Sequence, residues 1–116
     1  SMYSLTSANR YYLYQGFVRM NLGIDGLFKI YAPNEGVVPI SGDVFLFFGK
    51  NRQSVKILRW DGDGFLLYYK RLEGGSFELP TFNPNTGNYE ISYQVLSFIL
   101  NGVSLKSVRL RKRFRI

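Results

Sequence analysis

The sequence predicts an α+β fold: a small antiparallel sheet built around a central hairpin and packed by two helices. Three observations lead to this prediction. Residues 43–72 read as successive strands, a segment with helical spacing lies on each side of them, and the length of 116 residues suits one domain. The hydrophobic content of 46% is typical of a folded core. We therefore treat residues 1–116 as a single domain, with Ser1 before Met2 as an expression artefact.

The chain opens with "SLTSANRYYLYQG", for which we expect a short extended segment. The first helix is predicted in "NLGIDGLFKIY", with Asn21 as its N-cap and Pro33 preventing much continuation. Its apolar residues have the i, i+3, i+4, i+7 spacing of an amphipathic helix: Ile24, Leu27, Phe28 and Tyr31.

Three strands are predicted after the loop "APNEGVVPISG". They are "VFLFF", "SVKILRW" and "FLLYYKR", which are rich in β-branched and aromatic residues. A fourth short strand is predicted at "SFEL", after Gly74 and Gly75, and "PTFNPNTGN" is read as a loop.

The second helix is predicted in "ISYQVLSFILNG". Ser92 is expected to cap its N-terminus, and Asn101 followed by Gly102 is expected to stop it. Its apolar residues again have helical spacing: Leu96, Ile99, Leu100 and Val103.

The sequence "DGDG", from Asp61 to Gly64, separates the last two predicted strands. It predicts a tight turn, because glycine accepts the positive φ that such turns require. A calcium loop would need an oxygen ligand where Phe65 stands and a glutamate where Leu72 stands. Spacing permits a catalytic carboxylate pair, but two aspartates in a solvated turn have the same surroundings, and nothing gives them the different roles of an acid and a base. We predict neither metal binding nor catalysis at Asp61 and Asp63.

The rest of the chain is also unlike an enzyme. It contains no His and no Cys, so it has no triad, no zinc site of the usual ligands and no ready general base near pH 7. No phosphate-binding or dinucleotide fingerprint is present. We expect no catalysis, no metal and no cofactor. No apolar run approaches the ~20 residues of a membrane helix, so we expect no membrane contact. The lack of cysteine fits a cytoplasmic protein.

The net charge of +7 is concentrated near the C-terminus. Residues 106–116 contain no acid and six cations: Lys106, Arg109, Arg111, Lys112, Arg113 and Arg115. Removing these six from the fifteen basic residues leaves nine, against eight acidic residues. Such a terminus is typical of a nucleic-acid contact, and the alternative is a solubilising tail.

The terminal sequence "SVRLRKRFRI" alternates between basic and apolar residues. Arg109, Arg111, Arg113 and Arg115 share one parity, while Val108, Leu110, Phe114 and Ile116 share the other. In a strand the four guanidinium groups would stand ~6.8 Å apart, which is about two phosphate repeats of one DNA strand. We call these four residues the arginine comb. The alternatives are a solvated edge strand that uses charge against aggregation, or a tail without strand structure.

The hairpin supplies a second candidate for nucleic-acid binding. Its arms interleave cations with aromatic rings, as single-strand-binding platforms do: Lys56, Arg59, Tyr68, Tyr69, Lys70 and Arg71. The alternative is that these aromatics are core residues or cross-strand pairs. Trp60, Phe65 and Leu67 are expected to pack in the core.

The central run "LFFGKNRQSVKILRWDGDGFLLYYKRLEGGSFELP" resembles the accessory protein TnpB of insertion-sequence-66-type transposable elements. Members of that family show a run similar to "K-I-L-x-W-D-G-D-G-F-x-L-x-Y-K-R-L-E-x-G-x-F". "GIDGLFKI" is similar to the family's "GFDGL", and "QVLSFILNGV" to its closing helix, so the resemblance covers about residues 20–103. Asn21 and Leu22 stand where the family usually has basic residues.

The resemblance implies a small protein that is encoded beside a separate, larger transposase and is needed with it for transposition. Together with the basic residues, it leads us to expect a non-catalytic accessory factor that binds DNA. The alternative is a protein adaptor that docks on the transposase through exposed sheet aromatics such as Phe47, Tyr68 and Tyr69. DNA and the transposase are thus the expected partners, and the sequence leaves the oligomeric state open.

Overall fold

The computed structural model describes residues 5–80 and 89–102. These residues form an α+β arrangement of one sheet and two helices. The elements in chain order are β1 (Arg10–Phe17), α1 (Ile24–Tyr31), β2 (Asp43–Phe48), β3 (Ser54–Trp60), β4 (Phe65–Arg71), β5 (Tyr89–Ile91) and α2 (Tyr93–Leu100). Within the described residues, neither helix is long and apolar enough to cross a membrane.

The sheet is mixed, which corrects the prediction of an antiparallel sheet. Its strand order is β4-β3-β2-β1-β5, and β1 pairs with β2 in parallel. The cause is the connection through α1, because a crossover helix returns the chain to the end of the sheet where β1 began. The segment expected to be a short extended piece is an eight-residue strand, and β5, which was not predicted, pairs antiparallel with β1.

The predicted hairpin forms, but at one edge of the sheet and not at its centre. β3 and β4 pair antiparallel from Ser54 with Arg71 to Trp60 with Phe65, and β4 has no further strand beside it among the described residues. The strand predicted at "SFEL" is absent from this described segment. Phe77 of that segment is buried instead, and its N–H donates to the Arg52 carbonyl at 2.6 Å.

Each face of the sheet carries its own hydrophobic cluster. On one face, Leu96 and Ile99 of α2 lie in a cluster with Ile57 of β3. On the other, Leu27 of α1 lies in a cluster with Leu58 of β3. We call these the α2 face and the α1 face. Because β2 and much of β3 are covered on both faces, their sequences are nearly continuous apolar runs.

The ends of the two helices differ in how well the sequence predicts them. α2 begins as expected, since the Ser92 hydroxyl accepts a hydrogen bond from the Val95 N–H at 3.1 Å. It ends at Asn101 and Gly102, whose φ is +76°. The N-cap of α1 is Gly23 with no side-chain hydrogen bond, so the prediction of Asn21 as its cap is wrong. Val103, predicted on α2, and most of the loop "PTFNPNTGN" lie outside the described residues.

The turn predicted at "DGDG" joins β3 to β4. The Asp61 N–H donates to the Gly64 carbonyl at 2.8 Å, and Gly62 adopts φ +88°, which favours glycine. Asp61 and Asp63 are both exposed. Beside the turn, the rings of Trp60 and Phe65 pack edge to face, with their centroids 4.9 Å apart.

Of the three residues assigned to the core, Leu67 is the exception. Trp60 and Phe65 are half-buried, and Phe65 packs against the α1-face cluster. Leu67 is 37% exposed, so its assignment to the core is wrong. The reason is its position on an edge strand, beyond the part of the sheet that α1 covers.

Candidate nucleic-acid interface

The arginine comb lies outside the described residues, together with Lys106 and Lys112. Its role in DNA binding therefore stays a prediction. The last described element of the chain is α2. α2 ends at Leu100, and the Leu100 carbonyl accepts a hydrogen bond from Lys70 Nζ at 3.2 Å.

Lys56, on β3, is held by the fold itself. It lies on the α1 face, between Phe47 on β2 and Tyr69 on β4. Its Nζ donates to the Leu22 carbonyl at 2.8 Å and lies 5.6 Å from the centre of the Tyr69 ring. This cation therefore ties the segment before α1 to the sheet.

Arg59, on the same strand, lies on the opposite face of the sheet. Its side chain is only 16% exposed and its Nη1 is 3.7 Å from Asp61 Oδ1. Its Nε is buried without a hydrogen-bond partner in the described part of the chain. Nearby, burial raises the pKa of Tyr11 to about 12, and the Arg59 charge acts in the opposite direction. The guanidinium is thus directed mostly into the protein.

Lys70 and Arg71, on β4, are the exposed cations of the hairpin. They are consecutive strand residues, so they point to opposite faces of the sheet. Lys70 reaches α2, and Arg71 Nη2 lies 3.3 Å from Glu73 Oε2. Both remain open to a partner on their solvent side.

The interleaved hairpin residues do not share one surface. Tyr68 is half-buried against the α2-face cluster, whereas Tyr69 is 53% exposed on the other side. Phe47, also considered as a docking aromatic, is fully buried. The alternation along β4 therefore separates the cations and rings that the sequence places next to one another.

Three exposed cations that the sequence prediction omitted lie at the same end of the sheet as the last residues of β4. They are Arg19, Lys50 and Arg52. Lys50 and Arg52 belong to "GKNRQ", the polar turn between β2 and β3. The available signal was that this turn leads into β3, the strand that pairs with β4 in the hairpin, so its cations fall at the same end of the sheet as the last residues of β4.

No metal centre is assembled in residues 5–80 and 89–102. No three His, Cys, Asp or Glu side chains are grouped there so that they could hold a metal ion. A groove of about 760 Å³ lies between β4 and α2, and it is lined by apolar and neutral side chains together with Lys70. Tyr69, Leu96 and Leu100 contribute to its walls.

The fold and its charges define a small α+β protein in which the cations, and not the carboxylates, supply the candidate site. The family model described as "IS66 Orf2 like protein" (TnpB_IS66) matches residues 9–110. The chain belongs to this family, which confirms the resemblance seen in the sequence. It is therefore a transposition-associated accessory protein of the IS66 type, from a family that is not a known catalytic transposase.

Two relatives from Sinorhizobium fredii are similar to this chain. The uncharacterized protein y4hO is 35% identical over 65 residues, which cover 56% of this chain and 55% of that protein. The uncharacterized protein y4jC is 29% identical over 87 residues, which cover 75% and 73%. The match thus spans about half the length of y4hO. No solved structure matches the chain.

Proposed function

We propose that the protein is a non-catalytic accessory factor that binds DNA beside a separate transposase. The observation that carries this proposal is the charge distribution. Six of the fifteen basic residues lie in residues 106–116, where there is no acid. The chain also belongs to a transposition-associated family, and transposition takes place on DNA.

Phosphate contacts explain why arginine is the main residue of this segment. Its planar fork pairs bidentately with phosphate oxygens, and its charge persists at any physiological pH. Four to six such contacts give a log–log salt slope of about −3.6 to −5.4 on duplex DNA. Binding of this kind alone has a Kd of about 10⁻⁴ to 10⁻⁶ M at physiological salt.

The test is DNA binding by fluorescence anisotropy across a salt series, on element-end and random duplexes. Arg109, Arg111, Arg113 and Arg115 are replaced together by Gln, and the slope should flatten by about 3.6, the value for four lost contacts. The matched control replaces the same four residues by Lys, which keeps the charge and should keep the slope. A slope that is unchanged in the Gln variant removes the comb from the mechanism.

A second candidate function is that of an adaptor that docks on the transposase. It is favoured by the exposure of Leu67 and Tyr69 on the edge strand β4 and by the groove between β4 and α2. An edge strand also offers free backbone groups to an added strand.

The combined substitution of Leu67→Asp and Tyr69→Asp should abolish co-purification with the transposase of the same element. Val38→Asp is the control, because Val38 is 75% exposed in a loop outside the sheet. Equal capture of both variants would exclude this surface.

A further inference from the structure

Four segments meet at the end of the sheet opposite the "DGDG" turn. The Val18 N–H donates to the Phe48 carbonyl at 2.9 Å, which joins the segment after β1 to the end of β2. The Gly49 N–H donates to the Ser54 carbonyl at 3.1 Å and closes the turn between β2 and β3. β4 ends beside Ser54, since Arg71 is its partner in the register.

This end carries five exposed cations, and we call them the cationic end: Arg19, Lys50, Arg52, Lys70 and Arg71. Glu73 pairs with Arg71, and Glu78 lies in the segment that follows. None of the ion pairs between described residues involves Arg19, Lys50 or Arg52. Their charge is therefore directed to solvent.

The turn that carries two of these cations is fixed in shape. Arg52 has φ +59°, which is uncommon for a residue other than glycine. Two hydrogen bonds hold this conformation: the Arg52 N–H donates to the Gly49 carbonyl at 2.9 Å, and the Arg52 carbonyl accepts from the Phe77 N–H at 2.6 Å. A held turn loses little backbone freedom when a partner binds it.

The opposite end of the sheet carries carboxylates. Asp43 begins β2, and Asp61 and Asp63 lie in the hairpin turn. Arg10, at the start of β1, is the register partner of Asp43. A hydrogen bond with Tyr12 raises the pKa of Arg10, and the charges of Tyr12, Asp43 and Glu90 add to that effect. The sheet is thus polarised along its strands, with carboxylates at one end and five exposed cations at the other.

We infer that the cationic end is where the phosphate backbone of duplex DNA is seated. This inference rests on the proposed function. A surface of one charge sign attracts a polyanion and orients it, and here the acidic end is directed away from the DNA.

The test compares two variants of equal net charge in the full-length chain. Lys50→Gln with Arg52→Gln removes two charges at the cationic end, and Arg10→Gln with Lys29→Gln removes two exposed charges elsewhere. On a random duplex, the first variant should flatten the log–log salt slope by about 1.8, the value for two lost contacts. The second should leave the slope unchanged. Lys50→Arg with Arg52→Lys keeps both charges and should bind as the unmodified chain does, which separates charge from any effect on the turn.

Each outcome decides one of the two proposals. An unchanged slope for the Lys50 and Arg52 variant, or equal flattening for both variants, overturns the cationic end while DNA binding itself stands. No salt-dependent binding by the unmodified chain would overturn the proposed function, and the inference with it. Flattening confined to the Lys50 and Arg52 variant supports the inference whether or not the arginine comb also contributes.

Discussion

The two arms of the hairpin have similar compositions and different surroundings. β3 and β4 each mix aliphatic, aromatic and basic residues over seven positions. β3 lies between β2 and β4 with a helix-bearing cluster on each face, and β4 is an edge strand with three exposed residues at its C-terminal end. The same residue types are therefore structural on one arm and available for binding on the other.

The largest expected effect is the loss of stability when a buried apolar side chain of the hairpin is shortened. Ile57 on β3 is fully buried between Leu46 and Tyr68, whereas Leu67 on β4 is partly exposed. We expect Ile57→Ala to lower the free energy of unfolding by about 2–5 kcal/mol, because it leaves a cavity. Leu67→Ala should cost less than about 1 kcal/mol, as for other exposed positions.

Urea denaturation of the two variants measures this difference directly. The comparison between the arms fails if Leu67→Ala costs as much as Ile57→Ala. That result would mean that β4 is covered in solution, for example by a second copy of the chain, and it would favour the docking role of this edge.

A smaller effect is expected for the cations of the two arms. Lys56→Met removes the hydrogen bond to the Leu22 carbonyl, and we expect a loss of about 1–3 kcal/mol, typical of a broken bond to a charged group. Lys70→Met removes an exposed bond to the Leu100 carbonyl and should cost less than about 1 kcal/mol.

The same two variants also separate folding from binding. Lys70→Met should weaken DNA binding with little change in the urea midpoint. Lys56→Met should lower the urea midpoint and, at temperatures where it is still folded, should bind DNA as the unmodified chain does. The reverse pattern would place Lys56 at the DNA and would contradict its assignment as a structural cation.

Local sequence predicts the elements well where the signal is local. The apolar run of β2, the "DGDG" turn and the Ser92 cap each depend on residues adjacent in the chain, and each is observed. The strand order and the parallel pairing of β1 with β2 depend on contacts across 30 or so residues, as between Leu13 and Leu46. Alternation and composition carry no information about which strand becomes an edge.

In the candidate site, too, the sequence predicts what depends on adjacent residues and misses what depends on distant contacts. The sequence identifies Lys56, Arg59, Lys70 and Arg71 as cations among aromatic rings. It gives no sign that Lys56 is held by a carbonyl before α1, because that contact joins residues 34 positions apart. It also gave no reason to group Lys50 with Lys70, since only the pairing of β3 with both neighbours brings their segments together.

The smallest expected effect concerns the turn that joins the two arms. Asp61 makes one long ion pair with Arg59, at 3.7 Å, and Asp63 is exposed. Asp61→Asn and Asp63→Asn should each change the free energy of unfolding by less than about 1 kcal/mol, because the Asp61 carboxylate is on the exposed side of this long pair and Asp63 makes no ion pair with another described residue. Asp63→Asn serves as the control for Asp61→Asn, since it changes the same turn without touching Arg59.

Metal binding by the two aspartates of this turn can be tested by thermal unfolding. The loop lacks the further oxygen ligands that calcium requires, with Phe65 and Leu72 at the corresponding positions. Calcium and magnesium at millimolar concentration should therefore leave the melting temperature of the unmodified chain unchanged. A rise of several degrees that disappears in Asp61→Asn or Asp63→Asn would show that the hairpin turn is a metal site. The binding site of the hairpin would then be its carboxylates and not its cations.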